Sequence, residues 1–362
     1  MTRTIWIVAC LLGAMVAGLR EWSDLFKPWP QPLVNRDFAN LWAAGRLALG
    51  NNIATIFDPV AFTAATRTLA GTTFAHSFSY PPHALFLAAP FGLLPFGPAL
   101  LAWSAVSLAA FYLAARPLLP AALPRWVPIL SPAALICLQF GHYGLICGAL
   151  WMLAFRGSGL SAAALTIKPH LGLLVALRML QEKRAFWTAA GGTLALIALS
   201  MAVFGISSWE AFLTRNIAYH ADLLENTARF ERNMVTAFIS YGWVGQMLFA
   251  IAALLLLYRN FDVFTAATAT FLIVPYGFHY DLTVATLGFA VLLAARWSEL
   301  PLLARFVLLV GFLVPALVAF GAWLAPPILL SCLYIQKRYP LSLSASSARP
   351  AKRSDKFRHA KV

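Results

Sequence analysis

Charge is what this sequence most lacks: 11% of its 362 residues are charged, while 61% are hydrophobic. Soluble domains run to about a quarter charged and about half apolar. A chain of this composition cannot hide its apolar side chains in one water-bounded core, so lipid is the expected solvent for much of it. Cysteine is nearly absent. The four present, Cys10, Cys137, Cys147 and Cys332, lie inside apolar runs with no CxxC or Cys/His spacing. That excludes a disulfide framework and a zinc site and leaves them as small buried hydrophobes. The longest polar stretches read as loops and a short tail, so no soluble domain of ordinary size is expected. Acids are few, 13 against 27 Lys and Arg, for a net charge of +14. Such a balance can signal nucleic acid, but here the basic residues punctuate apolar runs and gather in a C-terminal tail. They read as topology markers, and no nucleic-acid partner is expected. The two halves show no internal repeat.

What the chain does have is a succession of apolar runs, with 27 Phe and 12 Trp suited to lipid-facing and interfacial positions. The opening MTRTIWIVACLLGAMVAGL, Arg3 followed by an apolar core, reads as an uncleaved first span over residues 4–19; cleavage after Ala14 or Ala17 is the alternative. A long polar segment follows, residues 20–82, in which DFANLWAAGRLAL has the helical spacing of an interfacial helix. Residues 84–94 predict a helix near the surface and 98–115 the second span. The run 127–155 breaks at QFGHYG and the run 159–181 at Lys168-Pro169, each giving two half-length helices. Further spans fall near 185–205, 241–258, 263–278, 282–296, 304–322 and 327–336. The expectation is an all-α polytopic membrane protein of about twelve (ten to twelve) transmembrane helices, several short or broken, with interfacial helices in the first outer loop. Residues 1–336 form a single transmembrane domain, with outer loops at 20–97 and 206–240, and 337–362 a basic, disordered cytoplasmic tail.

With Met1 in the cytoplasm, Arg3, Arg116, Arg125, Arg156, Arg178, Lys183, Arg184, Arg259, Arg296, Arg305 and the basic tail all fall inside, as the positive-inside rule requires. Both termini are then cytoplasmic. Asp37, His142, Lys168 and His279, with Asp281 close by, fall together on the outer side. Ionisable groups at membrane depth are costly and are functional candidates. Each has a plainer reading. Asp37 precedes an apolar helical run, where it serves as a helix cap or, partly desolvated, as a general base. Lys168 is a point charge for phosphate or a lysine snorkelling from a span end. His142 and His279 are phosphate or hydroxyl partners, or satisfied polar residues at helix ends. Arg215, Arg229 and Arg232 contact lipid phosphate or are solvated loop charges. Tyr80-Pro81-Pro82 reads as a rigid turn re-entering the membrane.

In order and spacing these segments resemble glycosyltransferase family 87, membrane enzymes of the C superfamily that use polyprenyl-phosphate-linked sugars and include the mannosyltransferases of phosphatidylinositol mannosides. The resemblance rests on RDFANLWAAGRLALGNNIATIFDP, SYPPHALFLAAPFGLLP, FGHYGLICGAL, AAALTIKPHLGLL and, more loosely, PYGFHYDL, and spans roughly residues 5–300. His142 stands for the family's Gln, Gly144 for its Asn, and His279 alone for its late histidine pair. The resemblance implies a glycosyltransferase C-type fold and transfer of mannose or another hexose from a polyprenyl-phosphate donor to a lipid or glycan acceptor, with inversion. It implies Asp37 as the catalytic base, with Lys168, His279, His142, Arg36 and Tyr80 around donor phosphate or acceptor. It implies no cofactor, since a monophosphate leaving group needs no metal ion and no acidic DxD cluster is present. It also implies an extracytoplasmic active site in the bacterial inner membrane, in contact with membrane lipids. A lipid or lipid-linked-sugar flippase is the rival reading, because transporters also build sites from broken helices. The missing repeat and the large early loop weigh against it. The early loop also weighs against a glycan polymerase or ligase, which depends on a late one.

Overall fold

The computed structural model of the chain describes residues 3–20, 26–219, 221 and 233–341, and among them every regular element is helical apart from one isolated antiparallel bridge between Met234 and Phe278. The first helix, α1 (Arg3–Arg20), leads to α2 (Phe38–Leu49) and α3 (Pro59–Ala70). Then come α4 (Leu85–Gly92) and the long α5 (Phe96–Ala115). The two broken runs are present as half-length pairs: α6 (Pro132–Phe140) with α7 (Gly144–Phe155), and α8 (Gly159–Ala164) with α9 (Leu173–Leu180). After α10 (Lys183–Phe204) and the short α11 (Ile206–Ala211), the chain closes with α12 (Ala237–Leu257), α13 (Val263–Ile273), α14 (Thr283–Arg296), α15 (Leu302–Leu317) and α16 (Ala325–Arg338).

Local chemistry sets these boundaries. Ser131 caps α6 by accepting from the Ala134 amide, and Gly141 ends it with φ 63°, a left-handed conformation that costs glycine nothing. Asp58 caps α3 through the Val60 and Ala61 amides, and Asp262 caps α13 in a capping box with Thr265. α2 is anchored on the start of α5: Trp42 donates to the Leu94 carbonyl at 2.9 Å, and Phe38 and Trp42 both meet the Phe96 ring edge-on at 5.3 Å. α16 continues through Lys337 and Arg338, two cations placed where the helix dipole favours them.

Among the described residues, four helical stretches are long and apolar enough to cross a membrane: Phe96–Leu118, Lys183–Phe204, Ala237–Leu257 and Leu302–Phe320. Leu194, Leu199 and Val203 on α10, and Val244, Leu248 and Leu255 on α12, are exposed with no protein against them. Apolar faces this continuous demand a non-aqueous neighbour, so the chain is a membrane protein. Shorter apolar helices, among them α7, α13 and α14, supply the interior; every residue from Val263 to Leu272 and from Thr283 to Ala294 is buried.

Candidate active site

Three aspartates stand at helix starts, and one behaves differently. Asp58 and Asp262 accept from amides of their own helices. Asp37, at the start of α2, has φ −60° and ψ −22° and makes no cap hydrogen bond. Its own backbone is already helical, so the carboxylate is not turned back toward the first amides. It faces a partly open cavity of about 520 Å³ instead. Burial, the largest influence, pushes the Asp37 carboxyl up to a pKa of about 6; Lys168 and Arg36 oppose the rise, Asp281 adds to it, and a hydrogen bond from Tyr280 opposes it.

The cavity is assembled from turns, with residues from the loop before α4, the α6–α7 turn, the break after α8, the segment after α11 and the turn before α14. Its walls are rich in aromatic side chains, including Tyr80, Phe140, Phe212, Tyr276, Phe278 and Tyr280. Tyr80 and His142 are joined by a 2.9 Å hydrogen bond between the phenol oxygen and Nε2. Lys168 Nζ donates to both oxygens of Asp281, at 2.7 and 2.8 Å, and both residues are buried. His142 Nδ1 lies 3.9 Å from the same carboxylate.

The segment before α14 is extended at Phe278 and tightens into a 3-10 turn at His279–Asp281; Tyr276, Phe278 and Tyr280 line the cavity, and His279 does not. Two backbone bonds clamp it to residues 233–235, from Val235 N to the Gly277 carbonyl at 3.0 Å and from His279 N to the Asn233 carbonyl at 2.9 Å. On its far side α7 comes so close that a Cβ on Gly144 would sit 2.1 Å from the Tyr280 carbonyl oxygen.

A profile of glycosyltransferase family 87 matches residues 78–327, more than half of the chain. The chain belongs to glycosyltransferase family 87. No curated protein and no solved structure matches it. The matched segment of this glycosyltransferase contains every cavity wall except the part carried by residues 37–77, so Asp37 enters the site from outside the match.

Of the residues expected from sequence, Asp37, Tyr80, His142 and Lys168 are brought together on the cavity walls. Two are not. His279 is fully buried behind the wall, its Nδ1 donating to the Asn233 carbonyl at 2.9 Å and its ring edge-on to Phe140. The 3-10 turn His279–Asp281 that follows the extended Phe278 holds it there. Arg36 stands beside the cavity, its guanidinium 5.1 Å over the Phe140 ring and its Nε donating to the Pro32 carbonyl at 3.3 Å. Lys168 is neither a snorkelling lysine nor an unbalanced cation, since Asp281 neutralises it. Arg229, Arg232 and residues 342–362 lie outside the described residues.

Sequence reasoning missed Asn40, His170 and Tyr280. Asn40 lies three residues after Asp37 on the same face of α2, donating to the Ser77 carbonyl, with its Oδ1 buried and unpartnered. His170 follows the Lys168-Pro169 break, and its Nε2 is buried without a hydrogen-bond partner. Those two spacings were available to find both. No spacing marked Tyr280. Among the described residues, no group of three or more His, Cys, Asp or Glu is arranged to hold a metal ion.

Proposed function

We propose that this glycosyltransferase moves a hexose, most simply mannose, from a polyprenyl-phosphate-linked donor to a lipid or glycan acceptor, with inversion at the sugar C1, on the extracytoplasmic face of the bacterial inner membrane. One observation carries the reading: Asp37 leaves its helix uncapped and presents a half-buried carboxylate to the cavity. In the step proposed, the acceptor oxygen attacks C1 as its proton passes to Asp37. The C1–O bond to phosphate breaks, and polyprenyl phosphate leaves with the electron pair. A carboxylate with a pKa of about 6 is ionised at neutral pH yet basic enough to share the proton in the transition state.

Aromatic faces on the walls suit a sugar ring and the first isoprenes of a lipid chain. At the phosphate end, Lys168 spends two N–H groups on Asp281 and retains a third; His142 and Tyr80 stand beside it. The turns that carry these groups lie at the helix ends opposite Arg116, Arg156, Lys183 and Arg296, the ends a positive-inside arrangement assigns to the cytoplasm. That supports an outward-facing site, where lipid-linked rather than nucleotide-linked sugars are presented.

The test is transfer by the purified protein from a panel of polyprenyl-phosphate hexoses to a bacterial lipid extract. Transfer by the wild type and its loss in folded Asp37→Asn is the expected result. Undiminished transfer by folded Asp37→Asn overturns Asp37 as the base. Transbilayer movement of the donor without transfer overturns the enzymatic reading in favour of a flippase.

A further inference from the structure

A chain of polar groups runs from the cavity wall into the interior behind it, and one member of it has no partner. Tyr80 lines the cavity, and its hydroxyl lies 2.9 Å from His142 Nε2. The other ring nitrogen, Nδ1, is buried without a hydrogen-bond partner and lies 3.9 Å from Asp281 Oδ1, too far for a bond. Asp281 is already neutralised, because Lys168 Nζ donates to both of its oxygens at 2.7 and 2.8 Å. The Tyr280 and Tyr143 rings cover the imidazole, with centroids 3.9 and 5.8 Å from its own, and Cys137 Sγ donates to the His142 carbonyl at 3.4 Å. A charged imidazole buried here would need a counterion, and Lys168 has taken the one at hand. His142 is therefore neutral at rest. The carboxylate favours the N–H on Nδ1, so Nε2 accepts the Tyr80 proton, and Tyr80 turns only lone pairs to the cavity.

A lipid phosphate alters this balance. As a diester it brings one negative charge, and it gains more as it leaves the sugar. The Lys168–Asp281 pair sums to zero and answers neither. We infer that phosphate seats in this cavity together with one proton, which His142 takes up. The proton passes from cavity water to the Tyr80 oxygen as the phenol hands its own to Nε2, so Tyr80 ends with an O–H again. Tyr80 then accepts from the imidazolium and donates to the phosphate. Nδ1–H shares Asp281 with Lys168, which loosens the ammonium toward the same phosphate. The inference rests on the reading that places a lipid phosphate at the Lys168 end, and extends it by naming the second cation and the switch that makes Tyr80 a donor.

The probe is phytanyl methyl phosphate, a saturated isoprenoid phosphodiester with one fixed negative charge, no sugar to lose and no group that titrates near neutrality. Its binding is followed by calorimetry at pH 6 in buffers of different ionisation enthalpy, so that the dependence of the heat on buffer counts the protons taken up. Asp37→Asn protein is used throughout, which keeps the carboxyl of Asp37 out of the count. The expected uptake is about half a proton or more per ligand bound. It should vanish when His142→Gln is added, since an amide cannot ionise, and persist when His76→Gln or His170→Gln is added at the other histidines of the wall. Binding without proton uptake overturns the inference and leaves the phosphate reading standing, a result that depends on no histidine variant folding. Uptake that survives His142→Gln puts the proton on another group and overturns it as well. If the phosphodiester does not bind, the phosphate reading itself fails and the inference goes with it.

Discussion

Asp37 carries an electrostatic cost. Its carboxyl titrates near 6 in the folded protein, above the ordinary 3.8, because burial disfavours the charge. The folded state therefore binds this proton more tightly than the unfolded one. Its contribution to stability is full below the unfolded value and is lost as pH rises through about 6. Asn cannot ionise. Asp37→Asn is thus expected to abolish transfer while its thermal midpoint above pH 6 stays equal to, or rises over, that of the wild type. A clearly lowered midpoint would mean that the carboxylate serves the fold. Activity runs the other way with pH: only the ionised base works, so kcat/KM should fall about tenfold per pH unit below the limb. Lys168 is held to a different rule. Removing it strands a buried carboxylate, at about 3–5 kcal/mol, so Lys168→Met should yield little folded protein and Lys168→Met/Asp281→Asn should recover it. In the recovered double variant, a raised donor KM is the mark of a lysine that also meets phosphate; a wild-type KM would leave it purely architectural.

At the scale of elements, the α6–α7 and α8–α9 turns were readable because polar, Gly and Pro residues interrupt apolar runs that are too long for one span. The turn before α14 was readable as a break between the spans 263–278 and 282–296, but nothing local says that Tyr276, Phe278 and Tyr280 face the cavity. The partnership of Lys168 with Asp281 spans 113 positions, beyond any pattern in the chain. Asp37 was ambiguous for a simpler reason: in sequence it looks like Asp58 and Asp262, and only the dihedral angles of the first turn separate a cap from a free carboxylate. Glycine at 144 has a steric cause, since any Cβ there meets the Tyr280 carbonyl. Gly144→Ala should push that turn away from α7. The expected outcome is a loss of about 1–3 kcal/mol of stability, as for other overpacked positions, together with impaired transfer at temperatures where the variant is folded. Unimpaired transfer would show that the turn tolerates displacement.

For the whole molecule the open question is direction, because the helices fix two ends without saying which faces the cytoplasm. The cavity and its ionisable residues lie at one end, and Arg116, Arg156, Lys183 and Arg296 at the other. If positive charge marks the inside, the cavity opens outward. The four native cysteines are free and buried, so a thiol reagent in water finds little background. Ala75 is exposed at the cavity and Ser298 is exposed at the opposite end, just after α14. In intact cells a membrane-impermeant maleimide should label Ala75→Cys, and should label Ser298→Cys only after the membrane is permeabilised. The reverse pattern would turn the protein over, placing Asp37 where nucleotide sugars are present and removing the reason for preferring a lipid-linked donor. Protection of Ala75→Cys by added polyprenyl-phosphate hexose, without protection of Ser298→Cys in permeabilised cells, would tie the outward orientation to the donor itself.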